Sequence, residues 1–151
     1  VAGVQGGSHL ANFKVRALIK KAFGKGLYPG ELAALLNDFE VQKRTLDWTK
    51  TPLPTITLHG NKSTSKFVIP RELLKHIFEA TFQGGLDCLR QMANHMLELN
   101  RDFAVVLCGG SYYNLGLRNQ VEDVMRDIKL DAQFRGINVE HVYLANCDTY
   151  W

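Results

Sequence analysis

The sequence predicts an α/β fold, an α+β subdomain over residues 1-69 followed by a partial α/β subdomain over 70-151. Three observations lead there. Phe103 to Leu107 is a short apolar run rich in β-branched residues, as expected of a strand covered on both faces, and it stops at Gly109-Gly110. Leu115, Leu117, Val121, Val124, Met125 and Ile128 then recur at mostly helical spacing, and Val139 to Leu144 reads as a last strand, the order of a parallel crossover unit. Upstream, amphipathic helical patterns precede two short alternating runs, Thr55 to His59 and Lys66 to Ile69, whose polar Gly-Asn linker predicts an antiparallel hairpin.

Taken in order, the glycine-rich stretch 3-9 leads into a helix from about Leu10 to Phe23 with Leu10, Phe13, Ala17, Leu18 and Phe23 on one face. Gly24, Gly26, Pro29 and Gly30 break it. A second helix from Glu31 to about Leu46 turns Leu32, Leu35, Leu36, Phe39 and Leu46 inward. Its other side carries Glu40, Lys43, Arg44 and Asp47 at i, i+3, i+4 and i+7, projecting from one face. That face reads either as a solvated surface with a Glu40 to Arg44 ion pair, worth about 0.3 to 0.5 kcal/mol, or as a site where a guanidinium covers a base.

After Pro52 and Pro54 and the hairpin, Pro70 opens a helix that Gln83-Gly84-Gly85 should interrupt. A following helix, Leu86 to Leu99, would carry Leu86, Leu89, Met92, Ala93, Met96 and Leu97 as its core stripe, the methionines as filler. Asn100-Arg101-Asp102 delivers the chain to the Phe103 strand. The glycine pair beyond that strand, with Ser111, either closes a tight turn or lets a ligand approach the backbone at a helix start. The helix beyond should end near Lys129, before the Arg135-Gly136 turn.

With 46% hydrophobic and 22% charged residues the chain has an ordinary globular balance, and no apolar run nears the roughly 18 residues of a membrane helix. A formal charge of +3, with Lys20, Lys21, Lys25, Lys43 and Arg44 interleaved among other residues, does not suggest nucleic acid. Cys88, Cys108 and Cys147 have no CxxC pairing, so reduced, mostly buried thiols are expected, and the histidines lack metal-ligand spacing. The expected protein is soluble and cytoplasmic, with neither membrane nor nucleic acid as partner. Opening at Val1-Ala2-Gly3 without methionine and ending at Tyr150-Trp151, it reads as a piece of a longer chain.

Three segments carry a resemblance that extends over nearly the whole chain: GVQGGSHLANFKV at Gly3 to Val15, FEVQKRTL at Phe39 to Leu46, and VVLCGGSYYNLGL at Val105 to Leu117. They resemble, in order and spacing, the second phosphate turn, the E-x-x-K-R-x-L helix and the V-L-x-G-G-S adenosine motif of the seventy-kilodalton heat-shock chaperones. Divergent fungal chaperone-like members of the actin-like ATPase superfamily are the more similar. The resemblance implies the second lobe of an actin-like ATPase domain, with 70-151 as a partial ribonuclease-H-like subdomain. It implies ATP or ADP as ligand, Glu40 and Lys43 on ribose, Arg44 on one side of adenine, and the backbone of Gly109, Gly110 and Ser111 near the nucleoside. Tyr113 stands where chaperones have arginine, so the second adenine-facing group would be aromatic. Asp47 replaces a small hydroxyl residue and would add negative charge near the base.

The family's magnesium-coordinating aspartates, catalytic lysine and phosphate hairpins precede the part that Gly3 begins, so the chain alone is expected to lack hydrolysis, and whether its parent hydrolyses ATP is left open. Mg2+ would enter only through that other half. Protein clients or co-chaperones are the further partners implied. A degenerate, non-catalytic interaction module is the alternative, favoured by Tyr113, Asp47 and Val4, where related fungal sequences tend to have aspartate. A sugar-kinase-like member lacks a visible sugar motif. Without the preceding strands, an unpaired edge beside Val105 and Leu107 would be exposed, and the chain is expected to aggregate or dimerise.

Overall fold

The computed structural model describes residues 7–52 and 55–144. The expectations placed on Gly3 to Gly6, Pro54, Cys147 and the aromatic end lie outside the described residues. The elements are α1 (Ser8–Phe23), α2 (Pro29–Thr45), β1 (Ile56–His59), β2 (Lys66–Ile69), α3 (Arg71–Glu98), β3 (Phe103–Cys108), α4 (Leu115–Arg135) and β4 (Val139–Leu144), with 3-10 turns at Gly24–Gly26 and Gly110–Tyr113. The architecture is mixed helix and strand, with two small two-stranded sheets. No helix among the described residues is long and apolar enough to cross a membrane.

Packing chooses the faces of α1 and α2. On α1 the fully buried stripe is Ala11, Val15 and Ile19, spaced by four; of the expected face, Leu18 and Phe23 pack half-buried against the same core, whereas Phe13 and Ala17 are exposed. Both faces are apolar enough to be inward, and the narrow, largely β-branched one lies closer against its neighbours. On α2 the buried positions are Glu31, Leu35, Phe39 and Lys43, again at intervals of four. Lys43 therefore belongs to the inward stripe and not to a solvated opposite face. α1 ends at Phe23 as expected, and α2 begins at Pro29, ahead of the expected Glu31, because the first helical positions need no intrahelical N–H donor.

The hairpin forms as expected, antiparallel, with Ile56 opposite Ile69 and His59 opposite Lys66. Ile56, Leu58 and Ile69 enter the first core. Buried Glu31 accepts the Asn61 amide at 3.0 Å, so α2 holds the hairpin's turn.

The expected interruption at Gly84-Gly85 does not occur: α3 runs unbroken from Arg71 to Glu98. Each glycine in a helix costs only about 1 kcal/mol, and both lie on the exposed side between buried Phe82 and Leu86, whose packing carries the helix through. The two cores part along α3. Leu74, Ile77, Phe78 and Phe82 join α1, α2 and the hairpin, while Leu86, Ala93 and Leu97 join α4 and the second sheet. Asn100, at φ 50°, then takes the left-handed conformation that ends such a helix.

β3 and β4 pair in parallel, Phe103 opposite Val139 through Cys108 opposite Leu144, with α4 as the crossover. α4 continues to Arg135, six residues past the expected end, because Ile128 and Ala132 extend its buried stripe to the Gly136 cap. The sheet is not covered on both faces. Ala104, Val106 and Cys108 are exposed, as are Val142 and Leu144, because no helix among the described residues covers that side. A groove of about 640 Å³ lies between α3 and β3 and is lined by Leu89, Met92, Met96, Val105 and Leu107 among others. Met92, at 55% exposure, is groove lining and not core filler. Cys108 is exposed and Cys88 half-buried, so these two free thiols are less buried than expected.

Candidate functional site

The last turns of α2 and the turn after β3, far apart in sequence, meet at a cleft of about 190 Å³ lined by Ser8, Glu40, Lys43, Arg44, Gly110, Ser111, Tyr113 and Asn114. The larger groove beside β3 has no charged residue in its lining, so polar recognition groups converge at the smaller cleft.

On the α2 wall, Glu40 is the hub. Its Oε2 accepts from Asn12 Nδ2 at 2.7 Å and faces Lys43 Nζ at 2.5 Å, and its Oε1 lies 3.8 Å from Arg44 Nη2. Burial pushes the Glu40 carboxyl up, but the bonds from Lys43 and Asn12 outweigh it and hold the group below the usual glutamate range. It is an ionised acceptor at neutral pH. Lys43 is nearly buried, its ammonium directed to Glu40, to Asn12 Oδ1 at 2.8 Å and to the Ser8 carbonyl at 3.4 Å. Its three donors are committed to bracing Glu40 and α1, so it brings charge to the cleft wall more than a free hand. Arg44, with a side chain 63% exposed, stands at the rim.

On the opposite wall, Gly109 turns the chain out of β3 at φ 102°, a region a side chain would resist. Gly110, Ser111 and Tyr113 follow in a short 3-10 turn. A Cβ on Gly110 would meet no atom within 4 Å, so this part of the cleft is open to an incoming group. Ser111 Oγ accepts the Ser8 amide at 3.1 Å, tying the turn to the start of α1. Tyr113, 48% exposed, touches Tyr143 edge-on.

Six of the eight residues expected at the site thus line one cleft, and two do not. Gly109 shapes the turn from behind. Asp47 faces away, accepting from the Thr49 amide at 3.1 Å and Asn119 Nδ2 at 2.9 Å. The i+7 spacing from Glu40 assumes a helix that reaches Asp47, but α2 ends at Thr45 and Leu46 is extended, so Asp47 leaves that face.

Ser8, Asn12, Asn114 and Trp48 are neighbours of the cleft residues that the sequence motifs do not single out. Asn114 is the N-cap of α4. Its Oδ1 accepts from Leu117 N and Trp48 Nε1, both at 2.9 Å, and its Nδ2 donates to the Lys43 carbonyl at 2.5 Å. An Asn before a helical pattern is a readable cap signal. Nothing in the sequence marks Trp48 as its partner, nor its place stacked on Phe78 and Phe82. Gly116 is required there, because a Cβ would be driven into the Trp48 indole. This joint forms one side of the cleft and fixes the distance between its walls.

No family model, curated protein or solved structure matches the chain.

Proposed function

We propose that the cleft binds the adenosine part of ATP or ADP, and that the chain is the nucleoside-gripping lobe of a chaperone-like, actin-like ATPase. The observation that carries this reading is the convergence of Glu40, Lys43 and Arg44 with Gly110, Ser111 and Tyr113 on one cleft. Glu40 suits a ribose hydroxyl, being an ionised acceptor with a side chain still 35% exposed. Arg44 and Tyr113 are the planar, exposed groups suited to stacking on a purine. A cleft of about 190 Å³ falls below the usual range for a whole ligand, about 300 to 1,000 Å³, and suits one part of a nucleotide.

Phosphoryl transfer needs positioned cations around the phosphates, and the cleft lining offers no carboxylate cluster for Mg2+. The chain alone is therefore proposed to bind without hydrolysing, in the cytoplasm and as part of a parent that closes over nucleotide. Calorimetric titration with ATP and ADP tests this. Binding in the micromolar to millimolar range that falls about tenfold or more in Arg44→Ala is expected, from the loss of a stacked, charged contact. Absence of heat and of any thermal shift at millimolar nucleotide, in this chain and in its parent, would sink the reading.

A second reading is a non-catalytic interaction module. The exposed sheet face at Val106, Val142 and Leu144 favours it. Under that reading Arg44→Ala leaves partner binding unchanged.

A further inference from the structure

The turn that carries Gly110, Ser111 and Tyr113 has no fully buried residue of its own. Besides the Ser111 bond to the Ser8 amide, it is held by Tyr112, which packs half-buried against the second core. Tyr112 points out of the cleft lining, its ring stacked on Tyr143 at 4.1 Å between centroids and contacted by the Arg118 guanidinium at 5.2 Å. Its hydroxyl donates to Glu122 Oε1 of α4 at 2.9 Å, and the same oxygen lies 3.3 Å from His141 Nε2 on β4. Tyr143 in turn donates to the Gly109 carbonyl at 3.4 Å, at the head of the turn.

We propose that Glu122 is the positioning residue for the nucleoside turn, its one carboxylate oxygen fastening Tyr112 to α4 and β4 and so setting where Ser111 and Tyr113 stand. The ligand assigned to that turn rests on the adenine-nucleotide reading above; the positioning does not. A hydrogen bond to an ionised acceptor is roughly twice as strong as a neutral one, which suits an anchor on an otherwise lightly packed segment. Tyr112 and Tyr113 are adjacent, so a displacement of the first is transmitted to the second through one peptide unit. Burial and, after it, the Glu122 carboxylate both raise the Tyr112 phenol above the ordinary tyrosine value, which supplies a spectroscopic mark of the contact.

The test uses the 151-residue protein and its Glu122→Ala and Glu122→Gln variants. Amide exchange without nucleotide is expected to speed about tenfold at Gly110 to Tyr113 in Glu122→Ala, with Val15 and Ile19 in the first core unchanged. ATP affinity is expected to fall by a similar factor, about tenfold. Glu122→Gln retains an acceptor for Tyr112, recovers most of both losses, and moves the Tyr112 ionisation to lower pH in an alkaline titration followed at that residue. Unchanged exchange at the turn in Glu122→Ala, or a rise that spreads equally to Val15 and Ile19, would overturn the proposal. Turn-specific exchange in a protein that binds no nucleotide would instead uphold the positioning role and remove the nucleoside reading.

Discussion

The two sheets of this protein contrast in how each is completed. The β1–β2 hairpin is antiparallel and short, and Ile56, Leu58 and Ile69 bury its inner face against α2 and the first core while Val68 points to water. Every strand residue has its place within a local stretch of chain. The β3–β4 pair is parallel, longer, and packed by α4 and the end of α3 on one side, yet it presents Val106, Val142 and Leu144 on the other. A hairpin with one wet face is a finished object, whereas parallel sheets are ordinarily covered on both faces and extended at their edges. The difference teaches that the first core closes over the inner face of its own sheet, whereas the second sheet leaves one apolar face as surface.

The sharpest way to break that contrast is at Phe78, which stacks on Trp48 and Phe82 and lies 6.2 Å from the Phe39 ring. Phe78→Ala is expected to cost about 3 to 5 kcal/mol in denaturant unfolding. A loss under 1 kcal/mol would show that the first core is not closed around that ring. Next comes Gly116→Ala, whose new methyl meets the Trp48 indole; about 1 to 3 kcal/mol should be lost, and with it the Asn114 bond that sets the cleft walls apart.

Acid should act on the cleft and on the second region together. Glu40 and Glu122 both have folded-state values below their ordinary ones. In Glu40 the bonds from Lys43 and Asn12 outweigh the opposing burial, and in Glu122 the Tyr112 hydroxyl is the leading cause. Groups depressed on folding contribute stability above their unfolded value, and that contribution is lost as pH falls through the folded one. Melting temperature should therefore fall below the ordinary glutamate range, and less steeply in Glu40→Gln. A wild-type profile that stays flat into strong acid would remove both interactions from the stability account.

The smallest stability effect is expected at the open face. Val106→Lys with Val142→Lys should change unfolding free energy by about 0.5 kcal/mol or less per site, since both side chains are half exposed. Self-association, read by sedimentation, should drop in that variant from a concentration-dependent level in the wild type. A monodisperse wild-type monomer at high concentration would mean that the open face carries no such liability.

Much of the fold was legible. The hairpin, the parallel crossover unit and the start of α4 follow from alternation, glycine placement and helical spacing, all local signals. The α2 charges and the Gly-Gly-Ser turn line one cleft, a juxtaposition that no local pattern contains. Local pattern found Leu18 and Phe23 of the inward side of α1 but not that Ile19 is buried while Phe13 is exposed, because both are large apolar residues and only the neighbouring helices choose between them. Nor could it say that α3 passes through Gly84 and Gly85, since the cost of two glycines is local and the packing of Phe82 and Leu86 that offsets it is not.

At the cleft, the sequence by itself determined which chemical groups are present: a carboxylate and two cations one helical turn apart, and a glycine turn followed by serine and two tyrosines. Tertiary structure decided how they are spent. Lys43 fell on the buried stripe four residues after Phe39 and became a brace, while Asp47 lay beyond the end of α2 and took part in a turn. Trp48, Asn114 and Glu122 became the parts that hold the walls, through bonds between positions far apart in the chain. The physical reason is that spacing along a helix sets a side chain's direction only while the helix lasts, and whether that direction meets water, a core or another helix depends on chain that the local pattern does not contain.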